Sequence, residues 1–110
     1  MIMTAEPQLL SVYKTGPLTV VGFGGQEVLD QVNIASCRHE ILKLVQQNKT
    51  ETLAFDLTGV KLVPSGLLGL LASLRNHGVK IQIYNPSEDV IDVLEVTHLD
   101  QVLEVLHVKA

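Results

Sequence analysis

A chain of 110 residues is the length of one domain and is long enough to bury a sizeable core. Its formal net charge is −4 at pH 7 and its basic residues are scattered, which argues against a nucleic-acid or anionic-membrane partner. Cys37 is the single cysteine, so an internal disulfide and a thiolate metal cluster are excluded and a reducing compartment is expected.

The opening MIMTAEPQLL has no basic n-region and carries Glu6 and Pro7, so it does not read as a signal peptide. The longest apolar stretch, Leu62 to Leu74, is interrupted by Pro64, Ser65, Gly66, Gly69 and Ser73 and is too short to span a bilayer. A cytoplasmic, soluble protein without direct membrane insertion is expected. Residues 1–8 read as a flexible lead-in to a single domain over 9–108.

Leu9–Tyr13 and Leu18–Phe23 are strand-like, and the turn residues Lys14 to Pro17 between them predict an antiparallel hairpin. Gly22-Phe23-Gly24-Gly25 lacks the third glycine of a dinucleotide-binding loop and reads as a strand exit. After Leu29-Asp30, the spacing of Ile34, Cys37, Ile41, Leu44 and Val45 predicts a helix over 33–47 with Asn33 as its N-cap.

Thr52–Leu57 reads as a buried strand. Thr58-Gly59 punctuates it, and Pro64-Ser65-Gly66 opens a helix running to about Asn76, with Gly78 at its C′ position. A strand that passes into a helix through such an elbow exposes backbone N–H groups where an anion or a phosphorylated hydroxyl is favoured. Lys80–Tyr84 alternates like a strand. Ser87 caps a further helix that begins with Glu88 and Asp89. Gln101–Val108 fits either a short helix or an edge strand.

Strand and helix thus alternate after an antiparallel start. The expected fold is α/β: a small mixed sheet of about four strands, with helices packed over it through right-handed crossovers. The loops at the carboxyl ends of the parallel strands, 22–33, 58–66 and 85–87, should converge on the site.

In sequence order, these segments resemble the STAS domain, the fold of bacterial anti-sigma factor antagonists, over about Leu9 to Leu106. Leu29-Asp30 resembles the end of the family's G-x-L-D stretch, and Phe55 to Val60 its D-L-S/T-G-V segment. Ser65 to Leu71 resembles its D-S-S-G-L-G-V-L helix start. Asn85-Pro86-Ser87 with Val93 to Thr97 resembles its N-x-S…V-L-E-L-T tail. The resemblance implies a binding module rather than an enzyme, without a cofactor. In such proteins a serine at the start of the second helix is phosphorylated by a kinase that is also an anti-sigma factor. The unphosphorylated form captures that partner.

By this resemblance Ser65 is the phosphorylation candidate. Asp30, Asn33, Thr58, Gly59, Pro64, Ser65, Gly66 and Leu67 form the expected partner-binding surface, with Leu67 or Leu68 adding apolar contact if one faces out. The chain departs from the pattern at the acceptor itself. Without a gap, Ser65 takes the first serine position and Gly66 replaces the usual acceptor, and the helix leucines stay in register. With one deletion, Ser65 is the acceptor.

Plainer roles stand beside these. Ser65 is a helix N-cap worth about 1 kcal/mol. Asp30 caps the first helix or touches a partner, and Asp56 receives N–H groups from the elbow. Cys37 is an inert core residue. The four histidines have no ligand spacing for zinc, and no nucleophile motif is present. Two other functions fit the same elbow: a non-phosphorylated STAS subunit of a lipid-transport ABC complex, and a sensor of a small anion or nucleotide.

Overall fold

Local signals place most of the elements where the sequence puts them. In the computed structural model, residues 10–23, 29 and 33–107 are described. They form five strands and three α-helices: β1 Ser11–Lys14, β2 Leu18–Gly22, α1 Ile34–Asn48, β3 Thr52–Asp56, α2 Ser65–Ser73, β4 Lys80–Tyr84, α3 Glu88–Val96 and β5 Glu104–Leu106. Asn33 caps α1, its side chain accepting the Ser36 N–H at 3.0 Å, and Ser87 caps α3 by accepting the Val90 N–H at 3.3 Å. Behind α2 the backbone tightens into a 3₁₀ turn over Leu74–His77 and stops at Gly78, whose φ of 78° suits a residue without a Cβ.

The ambiguous stretch after residue 100 resolves into an edge strand. A 3₁₀ turn over Leu99–Gln101 leads into β5, which pairs in parallel with β4 through Gln82↔Glu104 to Tyr84↔Leu106. The sheet therefore has five strands in the order β1-β2-β3-β4-β5, antiparallel between β1 and β2 and parallel from there on. Every crossover steps the same way across the sheet. Right-handed connections then place α1, α2 and α3 on one face.

Burial follows that layering. Val21, Phe55 and Ile83 stand in one cross-strand row and Leu53 and Ile81 in the next, all at most 1% exposed. Against them pack Cys37 and Ile41 of α1, Leu67, Leu68 and Leu71 of α2, and Val90 and Leu94 of α3. Phe23 stacks on Phe55 with ring centroids 6.3 Å apart. Burial pushes the Cys37 thiol up to about 11, with Glu40 adding to the shift, so the thiol stays protonated and inert at neutral pH.

One polar pair interrupts the core. Thr19, on the helix side of β2, is fully buried, and Thr50, just before β3, nearly so. The Thr19 hydroxyl donates to the Gly16 carbonyl at 3.0 Å. Having one proton, it must accept from the Thr50 hydroxyl in their 2.8 Å contact. This chain of two bonds ties the β1–β2 turn to the entry of β3. On the opposite face β4 and β5 carry a polar ladder: Tyr84 donates to Gln82, Gln82 to Glu104, and Lys80 pairs with Glu104 at 3.0 Å.

Candidate functional site

The elbow is built from the end of β3 outward. Asp56 turns its carboxylate back on the chain, and Oδ1 accepts both the backbone N–H of Thr58 at 2.9 Å and its hydroxyl at 2.5 Å. The Thr58 hydroxyl oxygen in turn accepts the Asn85 side-chain amide at 3.0 Å. The Val60 N–H closes a turn onto the Leu57 carbonyl at 2.9 Å. Gly59 takes the third place of that turn with φ 81°. No atom lies within 4 Å of a Cβ built there, so the position is closed to side chains by its backbone alone. Gly59→Ala is therefore expected to cost about 1–2 kcal/mol, readable as a lower urea midpoint with an unchanged slope.

Beyond the turn the chain alternates its side chains in pairs. Val60 and Val63 are buried, whereas Lys61 and Leu62 point outward, Leu62 being 52% exposed. Two neighbouring loops hold this strip. The Leu29 N–H donates to the Leu62 carbonyl at 3.1 Å, and the Ser87 hydroxyl donates to the Lys61 carbonyl at 3.4 Å. The Leu57 N–H also reaches the Tyr84 carbonyl at 2.9 Å. The loops after β2, β3 and β4 thus meet at the carboxyl ends of the parallel strands.

The start of α2 differs from the expectation for Ser65. The N-cap place belongs to Pro64, with φ −65° and ψ 143°, and its carbonyl accepts from Leu67 at 3.0 Å and Leu68 at 3.3 Å. No side chain caps the helix. A capping hydroxyl must come from the extended residue before the first turn, and Ser65 has already entered the turn as N1. It stands exposed there beside exposed Gly66. A Cβ built on Gly66 would lie 3.9 Å from Ile34, so the start of α1 adjoins the start of α2.

Of the residues expected to meet a partner, Asn33, Thr58, Gly59, Ser65 and Gly66 are exposed around this elbow and Pro64 is half-buried. Asp30 lies outside the described residues. Leu67 and Leu68 are both fully buried, so neither offers apolar surface; both are needed to seat α2 on the sheet. The outward apolar residue is Leu62, which sequence reasoning missed because its orientation is fixed by the bond from distant Leu29 and not by its neighbours in the chain. Among the described residues no three His, Cys, Asp or Glu side chains gather as metal ligands, and no helix is long and apolar enough to cross a membrane.

Residues 10–109 match the profile of the STAS domain, and the chain belongs to that family. Its fold is similar to that of an anti-sigma-factor antagonist (STAS) domain protein from Planctomyces limnophilus, with a TM-score of 0.75 at 22% identity over 91% of this chain and 90% of that one. It is also similar to the anti-sigma factor antagonist SpoIIAA in its unphosphorylated form, with a TM-score of 0.71 at 17% identity over 88% and 87%. The phosphorylated form of SpoIIAA, a Bacillus cell fate determinant, gives a TM-score of 0.61 at 16% identity over 88% and 90%. No curated protein matches the sequence.

Proposed function

We infer that this chain is a protein-interaction module of the anti-sigma factor antagonist kind. It docks an anti-sigma factor or serine-kinase-like protein through the 58–66 elbow, in the cytoplasm, and does no chemistry of its own. Ser65 is its regulated position. The observation that carries the reading is the condition of Ser65: exposed, at the first position of α2, and not engaged in capping. SpoIIAA, of like fold, is described in both phosphorylated and unphosphorylated forms.

A phosphate on Ser65 would add a charge of about −1.5 to −2 at neutral pH. At the first turn of a helix that charge is favoured by the macrodipole, so α2 stays folded. The cost falls on whatever protein surface has to approach. Ser65→Ala is expected to fold and capture the partner, and Ser65→Glu to fold and bind it at least about tenfold more weakly.

The test is to recover the protein from its own host and to determine its intact mass and its partner together. Phosphate on Ser65 with a co-purifying ATPase-type kinase supports the switch. An unmodified chain held by the ATPase of a transporter overturns it. It would favour instead a constitutive STAS subunit of a lipid-transport ABC complex, the reading that goes with the gap-free alignment, in which Gly66 replaces the acceptor serine.

A further inference from the structure

Beside the elbow runs a groove that the switch at Ser65 does not use. It lies between the Lys61–Val63 segment and the outer side of α3, with buried Val63 and Val90 as its floor and Leu62 and Val93 as its walls. It continues past Val93 to Val96, where Asp92 and Thr97 flank a second shallow depression. Among the described residues four large hydrophobic side chains are exposed, and two of them line these neighbouring depressions, Leu62 at 52% the first and Val96 at 79% the second, with Val93 shared between them. Exposed apolar residues scattered singly mean little; two gathered along one furrow mark a contact surface.

The groove is held in shape. The backbone under Leu62 is fixed by its bond from Leu29 and by that of Ser87 to Lys61. The facing wall is a helix on which Asp89, Val93 and Val96 recur at i, i+4 and i+7, along one side. An apolar furrow between a helix and a fixed strip accepts the apolar stripe of another helix.

Charge selects the occupant. The sequence of α3, EDVIDVLEV, carries four carboxylates and neither Lys nor Arg. Asp89 and Asp92 border the groove against the single basic side chain that lines it, Lys61, and Glu88 and Glu95 are exposed on the same helix, so the acidic charge prevails. A second copy docking here about a two-fold axis would set these acidic helices against each other. We propose that the groove between Lys61–Val63 and α3 docks an amphipathic helix of a partner protein whose flanks are rich in Lys and Arg. The proposal extends the binding role inferred above, since the elbow forms one wall, but it does not depend on Ser65.

The test is an NMR titration of the full ¹⁵N-labelled chain with a helical peptide carrying leucine on one face and lysine on the other. A peptide of the same leucine pattern with glutamate for lysine is the control. The lysine peptide is expected to shift amide signals of residues 61–63 and 89–97 and to bind more weakly as salt rises. Leu62→Ser and Val96→Ser should each weaken it by about fivefold or more, and Asp89→Asn with Asp92→Asn should reduce its salt dependence. All these side chains are exposed, so the variants should still fold, with Asp89→Asn giving up only the modest helix-dipole stabilisation of an acid in the first turn of α3. Ser65→Ala should bind the peptide as the parent does, which separates this proposal from the phospho-switch. Equal binding of the glutamate peptide, shifts centred elsewhere, or self-association through the same residues without peptide would overturn it.

Discussion

Leu67→Ala is expected to cost about 3–5 kcal/mol of unfolding free energy, against a change within about 0.5 kcal/mol for Ser65→Ala two residues away. Leu67 is fully buried in the core cluster, where α2 lies over β3 and β4. Truncation removes its transfer free energy and leaves a cavity that a close-packed interior fills only in part. Ser65 is exposed and makes no cap, so its hydroxyl is dispensable for folding. Urea denaturation of the two variants reads the contrast directly. Comparable losses would mean that Ser65 is part of the scaffold rather than free to be modified.

Thr19→Val carries the second large effect, a loss of about 1–3 kcal/mol. The substitution preserves volume but strips the buried Thr50 hydroxyl of its acceptor and the Gly16 carbonyl of its donor. Adding Thr50→Val should cost less than the two single losses summed, because the second change removes a hydroxyl already left without its partner. A thermal or urea double-mutant cycle measures this coupling. Additive losses would show that the two hydroxyls act independently.

The readable parts of the fold were those set by neighbouring residues. Asn33 and Ser87 bond N–H groups three positions on, and Gly78 ends its turn through its own φ. The Asp56 interaction with the elbow spans two residues and was equally legible. β5 was not, because three residues of mixed Glu, Val and Leu suit a helix end as well as a strand, and pairing with β4 decides. Ser65 was misplaced by one position because Pro64 and Ser65 are both common at helix starts, and only the backbone angles show which residue is extended. The exposure of Leu62 and the bond from Asn85 to Thr58 depend on contacts with distant segments. The burial of Leu67 and Leu68 together follows from the sheet lying beneath α2, which the leucine spacing alone does not orient.

The strand order has a further consequence, for how the molecule comes into being. Each strand lies against its successor in the chain, so no pairing has to close a loop longer than a single helical crossover. Closure entropy is met in small successive steps rather than one large one, and the average separation of paired residues stays low for a mainly parallel sheet. A ribosome releasing this chain from its amino end would deliver β1, β2 and β3 as a set able to associate before β5 exists. The last strand and α3, which forms one wall of the groove beside the elbow, then arrive on a sheet already begun.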